Sequence, residues 1–211
     1  MSRQEREYLN ALLLRNKPEK LLEAGVAAGA SAIVMLNAIK DNPNAALYSI
    51  DYSEKCISDA KQKSGYFVDN YPELKDKFHL YTGGLALRFL DEIGGGIDFC
   101  FIDTVHFNPG EILDFLFVLP YLKDDALVVF HDTKLQTNIA MSLNKWEITN
   151  NLLISAIFGK TIVQGNFSRS ANEIEYPSEQ GITYFPNITA VRLCKETREH
   201  LYNIFNLLTI K

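Results

Sequence analysis

The sequence of 211 residues has few cysteines, no long apolar run and no cluster of basic residues. Its three cysteines, Cys56, Cys100 and Cys194, are widely spaced and form no Cys-x-x-Cys pair. This spacing excludes a disulfide framework and a zinc ribbon. Cys100 lies in an apolar segment and is expected to be a buried free thiol, which suits a reducing compartment.

Two further absences concern membranes and secretion. No segment approaches the roughly 20 consecutive apolar residues of a membrane-spanning helix. The N-terminal residues 2–7 are charged and lack the apolar core of a signal peptide. We therefore expect a cytoplasmic protein that has no membrane partner.

The charge balance also limits the partners. The formal net charge is −5, from 21 basic and 26 acidic residues. A mildly acidic chain without a basic patch is poorly suited to binding a phosphate backbone, so nucleic acid is not an expected partner. With 47% hydrophobic and 22% charged residues, the chain can bury a core, and a small molecule is the expected ligand.

Short apolar segments alternate with helical patterns along the chain. Strands are predicted at 21–24, 46–50, 78–82, 97–102 and 126–130. Helices are predicted at 2–16, at 31–39, after a Ser53 cap, at 86–93 and after Asn108–Pro109. A further helix at 145–158, strands at 161–167 and 188–193, and a long polar loop at 168–186 complete the prediction.

This alternation predicts an α/β fold with a mostly parallel sheet of about seven strands, helices on both faces and an antiparallel C-terminal strand pair. We expect a single domain over residues 1–211. It comprises an N-terminal helix (1–16), a ligand-binding core (20–134) and a C-terminal sheet edge and substrate region (135–211). Parallel strands place their carboxyl ends at one edge of the sheet, where ligands bind. The residues expected there are Gly25, Asp51, Gly84, Asp103, His131 and Asp132.

A glycine loop follows the first predicted strand. Gly25 and Gly29 allow a tight turn before a helix whose N-terminus can hold an anionic group. Asp51 comes 22 positions after Gly29, at the end of the next strand, where a carboxylate can accept ribose hydroxyls. The alternative is an ordinary strand–helix turn without a ligand. NAD is disfavoured because Ala27 and Ala30 replace the second and third glycines of the dinucleotide fingerprint.

Two later strands end in acidic residues beside histidines. Asp103 and Asp132 can share a divalent cation, with His131 as a third ligand that would favour Mn²⁺ over Mg²⁺. His106 lies three positions after Asp103 and can act as a general base. The alternatives are an aspartate that only caps a helix and a histidine that only makes a structural hydrogen bond. His79 and His200 belong to no comparable constellation of acidic residues and are interpreted as structural or surface residues.

Taken together, these motifs resemble class I S-adenosylmethionine (SAM)-dependent methyltransferases with a Rossmann-like sheet. The resemblance is greatest to a bacterial subgroup that includes macrocin-type sugar O-methyltransferases and cephalosporin-hydroxylase-like proteins. The metal layout is similar to that of catechol O-methyltransferase. The resemblance covers roughly residues 20–134, and Asp124–Asp125 replace a usual Gly-Gly pair. It rests on four segments, 22–31, 48–51, 97–106 and 128–133.

The resemblance implies a role for each matching residue. The methionine part of SAM would lie along Gly25 and Gly29, the ribose on Asp51, the adenine beside Tyr52, and Mg²⁺ or Mn²⁺ on Asp103, His131 and Asp132. His106, with Asp103, would be catalytic. The implied cofactor-binding residues are Glu23, Ala24, Gly25, Gly29, Ser31, Asp51, Tyr52, Gly84, Leu85, Ala86 and Asp103.

The expected activity is methyl transfer from SAM to a hydroxyl group of a small molecule or sugar. A non-methylating nucleotide-binding protein, an NAD-dependent oxidoreductase and a scaffold without turnover are the alternatives, since fold does not fix function. Lys134, Asn138, Trp146 and the loop around Arg169 are candidates for the acceptor site. The N-terminal helix is a candidate lid or homodimer contact.

Overall fold

Strands and helices alternate through residues 1–105, 110–132 and 188–193, the ranges that the computed structural model describes. The helices are α1 (Arg3–Asn16), α2 (Ala30–Ile39), α3 (Leu90–Ile93) and α4 (Gly110–Val118). Short 3₁₀ helices lie at Tyr66–Asn70, Pro72–Lys77, Ala86–Arg88 and Leu119–Tyr121. The strands are β1 (Lys20–Ala24), β2 (Ala46–Asp51), β3 (Lys55–Cys56), β4 (Asp59–Lys63), β5 (Phe78–Thr82), β6 (Ile97–Ile102), β7 (Leu122–His131) and β8 (Ile188–Arg192).

The main sheet has the strand order β5-β2-β1-β6-β7-β8. The first five of these strands are parallel, and β8 is antiparallel to β7. The predicted α/β fold, with a mostly parallel sheet and an antiparallel strand at its C-terminal edge, is confirmed. The described sheet has six strands where about seven were predicted. The predicted elements at 145–158, 161–167 and 168–186 lie outside the described residues.

The register of the sheet aligns the ends of its central strands. Ala24 pairs with both Ile50 and Ile102, and Ile102 pairs with Phe130. The residues that follow these positions therefore lie side by side at one edge: Gly25, Asp51, Asp103 and His131. The strand order reverses between β1 and β6, so this row crosses the point where ligands bind in open α/β sheets.

Apolar side chains cover both faces of the sheet. On β6, Cys100 and Ile102 pack with α3 and α4, whereas Phe99 and Phe101 pack with α1 and α2. This two-residue alternation places helices on both faces, as the sequence predicts. Cys100 is fully buried, as expected, and burial raises the pKa of its thiol.

The N-terminal helix is part of the core. Ser2 caps α1, and Tyr8, Leu9 and Leu13 are buried in the cluster that also contains α2. Because this apolar face is covered within the chain, it is not available for a partner. No helix in the described ranges is both long and apolar enough to cross a membrane.

The predicted helix after Ser53 is wrong. Residues 55–63 form a β-hairpin in which β3 and β4 pair antiparallel. The Ser53 hydroxyl accepts a hydrogen bond from the Lys55 N–H, and Ser64 donates from its backbone to Glu54 and from its hydroxyl to Ser53. These bonds close the base of the hairpin. The exposed residues of β4 have no apolar stripe at helical spacing that could pack a helix against the sheet.

The predicted helix at 86–93 is interrupted. A 3₁₀ turn at Ala86–Arg88 and the four-residue α3 are separated by Phe89, whose φ is −112°. Leu90 and Ile93 still face the core, so the predicted apolar face is correct although the continuous helix is not.

Candidate active site

A cavity of about 740 Å³ opens at the carboxyl edge of the sheet. Its lining includes eight of the predicted cofactor-binding residues: Ala24, Gly25, Asp51, Tyr52, Gly84, Leu85, Ala86 and Asp103. Glu23, Gly29 and Ser31 are not among its lining residues. The hairpin, which the sequence interpretation missed, contributes four further residues to the wall: Lys55, Cys56, Ile57 and Ala60.

The glycine loop is bent by residues with left-handed backbone angles. The φ of Gly25 is +90°, that of Ala27 is +47° and that of Gly29 is +93°. A Cβ atom at Gly25 would lie 1.8 Å from the carbonyl oxygen of Asp103, so only glycine fits there. The loop therefore contacts the end of β6 directly, and this contact brings the β1 and β6 ends of the site together.

Asp51 holds the glycine loop in place. Its Oδ2 accepts hydrogen bonds from the N–H groups of Val26, at 3.0 Å, and Ala27, at 2.9 Å. Its Oδ1 accepts from the Ser53 N–H at 2.9 Å. Each carboxylate oxygen has two lone pairs, so Oδ1 keeps acceptor capacity toward the cavity that Asp51 lines. The predicted ribose contact is compatible with this arrangement and stays a prediction.

Glu23 lies behind the loop. It is fully buried, and its carboxylate accepts hydrogen bonds from the hydroxyls of Ser31 on α2 and Ser49 on β2. Burial raises the pKa of Glu23 to about 7, against the effect of these two hydrogen bonds. The structure thus places Glu23 and Ser31 where they support the loop and the start of α2.

Three predicted metal-binding residues form a cluster beside the cavity. One ligand atom from each of Asp103, His131 and Asp132 lies within 4.8 Å of the others. His131 Nδ1 is 3.3 Å from Asp103 Oδ2 and 3.5 Å from Asp132 Oδ1. The register of β6 and β7 makes this cluster, because Asp103 and His131 follow paired residues. Asp103 belongs both to the cluster and to the cavity wall.

His131 is buried with unsatisfied ring nitrogens. Its contacts with carboxylates are at ion-pair distances, and neither nitrogen has an aligned hydrogen bond among the described residues. Burial lowers the pKa of His131, but contacts with Asp103, Asp132 and Glu5 outweigh it and raise the pKa to about 11. The ligand set suits Mn²⁺ or Mg²⁺, because it combines two carboxylates with an imidazole nitrogen that lies near both of them and lacks a hydrogen bond.

Two acidic residues that the sequence interpretation missed lie near this cluster. The Glu5 carboxylate of α1 is 3.4 Å from His131 Nε2, and this contact lowers the pKa of Glu5 to about 2 although burial opposes it. Glu111 of α4 is fully buried, and both its carboxyl oxygens lack hydrogen-bond partners in the described part of the chain. The burial of Glu111 could have been predicted from helical spacing, because Phe115 and Val118 lie on the same face of α4.

The buried carboxyl of Glu111 should make the protein less stable as the pH rises. Burial, with the charges of nearby Asp103, Asp132 and Asp114, raises the pKa of Glu111 to about 9 from an ordinary value near 4.5. Between these values the unfolded chain releases a proton that the folded chain keeps, so unfolding becomes easier with increasing pH. We expect Glu111→Gln to stabilise the protein by a few kcal/mol at pH 8 and by much less at pH 5.

Urea unfolding at pH 5, 6.5 and 8, with chelator present, measures this difference. The exposed Glu73 provides the matched control, and Glu73→Gln should follow the wild-type profile at every pH. A Glu111→Gln effect that is the same at all three values would contradict the assignment of a buried neutral carboxyl.

The remaining predicted residues divide into two groups. His79 is exposed and stacks on Tyr48 at 4.8 Å between ring centroids, in agreement with a surface role. The predicted base His106, together with Lys134, Asn138, Trp146, Arg169, Cys194 and His200, lies outside the described residues.

A comparison with known families finds one match to this region. A family model described as a methyltransferase domain matches residues 22–133, just over half of the chain. The chain belongs to this methyltransferase family. The matched range contains the glycine loop, Asp51 and the cluster of Asp103, His131 and Asp132.

Solved structures of methyltransferases share the fold. A Podospora anserina methyltransferase bound to S-adenosylhomocysteine (SAH) is 19% identical, with a TM-score of 0.59 over 92% of this chain and 79% of that one. An O-methyltransferase from Bacillus cereus in complex with SAH is 18% identical, with a TM-score of 0.58 over 91% and 82%. The O-methyltransferase TomG from Streptomyces achromogenes, in complex with SAM, is 20% identical, with a TM-score of 0.56 over 77% and 71%. The finer resemblance to the macrocin-type subgroup stays a prediction.

Proposed function

We propose that this methyltransferase transfers a methyl group from SAM to a hydroxyl group of a small molecule, with a sugar hydroxyl as the first candidate acceptor. The observation that carries the proposal is the position of Asp103. Asp103 lines the cavity together with the glycine loop and Asp51, and its carboxylate also belongs to the cluster with His131 and Asp132. The methyl group of a donor bound in the cavity would therefore lie next to an acceptor hydroxyl bound at the cluster.

The cavity suits the two polar ends of SAM. The first turn of α2 begins at Gly29 without a side-chain cap among the described residues, so the N–H groups of this turn are available to a carboxylate. Asp51 lines the cavity where a ribose would lie. SAH bound to the Bacillus cereus and Podospora anserina proteins, and SAM bound to TomG, support this choice of donor.

An apolar wall would enclose the adenine ring. Tyr52, Ile57 and Leu85 line the cavity and are still 74%, 90% and 54% exposed. Large exposed apolar side chains at a cavity mouth indicate a surface that a ligand covers. The predicted adenine site comprises Tyr52 and residues 84–86, and Ile57 adds a residue of the hairpin to it.

The chemistry requires an acceptor oxygen that can lose its proton. The new carbon–oxygen bond forms as the carbon–sulfur bond breaks, and sulfur keeps the electron pair, which yields SAH. Asp103, His131 and Asp132 would hold Mg²⁺ or Mn²⁺, which when bound lowers the pKa of an acceptor hydroxyl. We assign the proton to His106, three residues after Asp103, on the basis of its place in the sequence.

Calorimetry with SAH and NAD, followed by methyl-transfer assays with a panel of sugars and phenols, tests the proposal. SAH should bind and NAD should not. Asp103→Ala, His131→Ala and Asp132→Ala should each lower methyl transfer by about 100-fold, and chelator should do the same. The matched control is His79→Ala, which removes an exposed histidine that does not line the cavity and should leave the rate unchanged.

The outcomes separate the parts of the proposal. Binding of NAD without SAH would favour the oxidoreductase alternative, and binding of neither would favour a scaffold. If methyl transfer persisted with chelator present and in all three variants, the metal site would be ruled out, but the proposed SAM-dependent activity would stand.

A further inference from the structure

The N-terminal helix brings a carboxylate to the side of His131 that faces away from the two aspartates. Glu5 is the third residue of α1, where its Oε2 accepts a hydrogen bond from the Ser2 N–H. The same oxygen lies 3.4 Å from His131 Nε2. Glu5 is only 8% exposed, although a capping glutamate needs no burial.

The two ring nitrogens of His131 therefore face different acids. Nδ1 lies 3.3 Å from Asp103 Oδ2 and 3.5 Å from Asp132 Oδ1, whereas Nε2 faces Glu5. A histidine that binds a metal through one nitrogen carries its proton on the other, and that N–H normally donates to a carboxylate or a carbonyl. This arrangement fixes both the tautomer and the direction of the ring.

We propose that Glu5 is a positioning residue that holds His131 Nε2–H, so that the Nδ1 lone pair points toward a divalent cation between Asp103 and Asp132. The inference rests on the metal site of the proposed function. It gives α1 a role in the site, because the helix carries Glu5 and is anchored in the core by Tyr8, Leu9 and Leu13. Through the contact between Glu5 and His131, it also connects the N-terminal helix to the residues that would bind the cation.

Mn²⁺ binding to the full chain without SAM, measured by the loss of the free-ion electron paramagnetic resonance signal, tests the proposal. Glu5→Gln keeps an oxygen for the Ser2 N–H but removes the charge that holds the imidazole, and it should weaken Mn²⁺ binding by about 10-fold or more. Ser2→Ala is the matched control. It removes the hydroxyl that accepts from the Glu5 N–H at 3.3 Å, so it should weaken the helix cap without changing Mn²⁺ affinity.

A double-mutant cycle distinguishes positioning from simple attraction between charges. If Glu5 acts through the imidazole, Glu5→Gln should have no further effect on Mn²⁺ affinity in a His131→Ala background. An equal loss in both backgrounds would overturn the proposal, as would unchanged Mn²⁺ affinity in Glu5→Gln alone. A wild-type protein that binds SAH but not Mn²⁺ would also overturn it, while leaving the cofactor part of the proposed function intact.

The tautomer of His131 gives a readout in the wild-type protein itself. In the wild-type protein with Mg²⁺ bound, ¹⁵N resonances of the imidazole should report a proton on Nε2 and none on Nδ1. The signal is assigned by its absence in His131→Ala. A proton on Nδ1 in the Mg²⁺-bound state would refute the proposed orientation.

Discussion

Replacing Gly25 by alanine is expected to abolish SAH binding and to lower the free energy of unfolding by more than about 3 kcal/mol. The new Cβ would lie 1.8 Å from the carbonyl oxygen of Asp103 and 2.6 Å from its carbonyl carbon. Both are backbone atoms, so no side-chain rotation can relieve the overlap. The loop would have to separate from the end of β6, where the Asp103 N–H donates to the Ala24 carbonyl at 2.8 Å.

Gly96 provides a matched control for this substitution. Its φ of +81° is close to the +90° of Gly25, but a Cβ there would have no atom within 4 Å among the described residues. Gly96→Ala therefore isolates the strain of the left-handed backbone and should cost about 1–2 kcal/mol without changing SAH affinity. Urea unfolding and calorimetry on both variants measure the difference. If Gly25→Ala matched Gly96→Ala in both measurements, the close approach to Asp103 would be disproved.

The residues at the ligand-binding edge of the sheet can be predicted because the ends of the strands are recognisable in the sequence. Apolar segments end at Ala24, Ile50, Ile102 and Phe130, and parallel pairing places the next residues in one row. Only the alternation of strands and helices is needed for this inference, since right-handed crossovers leave one arrangement of the strand ends. The predicted cluster of Asp103, His131 and Asp132 follows from the same reasoning, and the structure brings the three side chains together.

The hairpin could not be predicted in the same way. Residues 59–63 are polar apart from Ala60 and are all exposed, so burial imposes neither helical nor strand periodicity. Contacts with distant segments favour the hairpin over a helix. Just after the hairpin, Gly65 and Phe67 donate backbone hydrogen bonds to Ala27 and Ala28 of the glycine loop. Such contacts join parts of the chain nearly 40 positions apart and leave no local pattern.

Glu5 and Glu111 were missed for a related reason. Each shares a buried helix face with apolar residues, which helical spacing predicts. What that face meets is set by the packing of α1 and α4 against the sheet. Their approach to His131 and its neighbours is therefore a tertiary property that a single sequence does not specify.

Asp51→Ala is expected to weaken SAH binding by about 100-fold and to lower the free energy of unfolding by about 3 kcal/mol. The carboxylate accepts three backbone hydrogen bonds, from Val26, Ala27 and Ser53, and alanine leaves all three donors unpaired. The glycine loop would lose the anchor that fixes its shape at the cavity, so both quantities should fall together.

Asp98 offers a matched control at the opposite edge of the sheet. Its carboxylate accepts hydrogen bonds from the backbone N–H groups of Glu19 and Lys20, at 3.1 and 3.0 Å, just as Asp51 accepts from the glycine loop. Asp98→Ala should therefore lower stability by a similar amount while leaving SAH affinity unchanged. Loss of SAH affinity in both variants would show that general destabilisation, and not the loop, explains the Asp51 result.

A ligand that lacks a ribose hydroxyl separates the two roles of Asp51. If the free lone pair of Oδ1 accepts a ribose hydroxyl, the wild-type protein should prefer SAH over its 2′-deoxy analogue by about tenfold, equivalent to about 1.4 kcal/mol. Asp51→Ala should then bind both ligands equally weakly, because the partner of the hydroxyl is gone. If the variant keeps the tenfold preference, Asp51 acts only by holding the loop, and another group recognises the ribose.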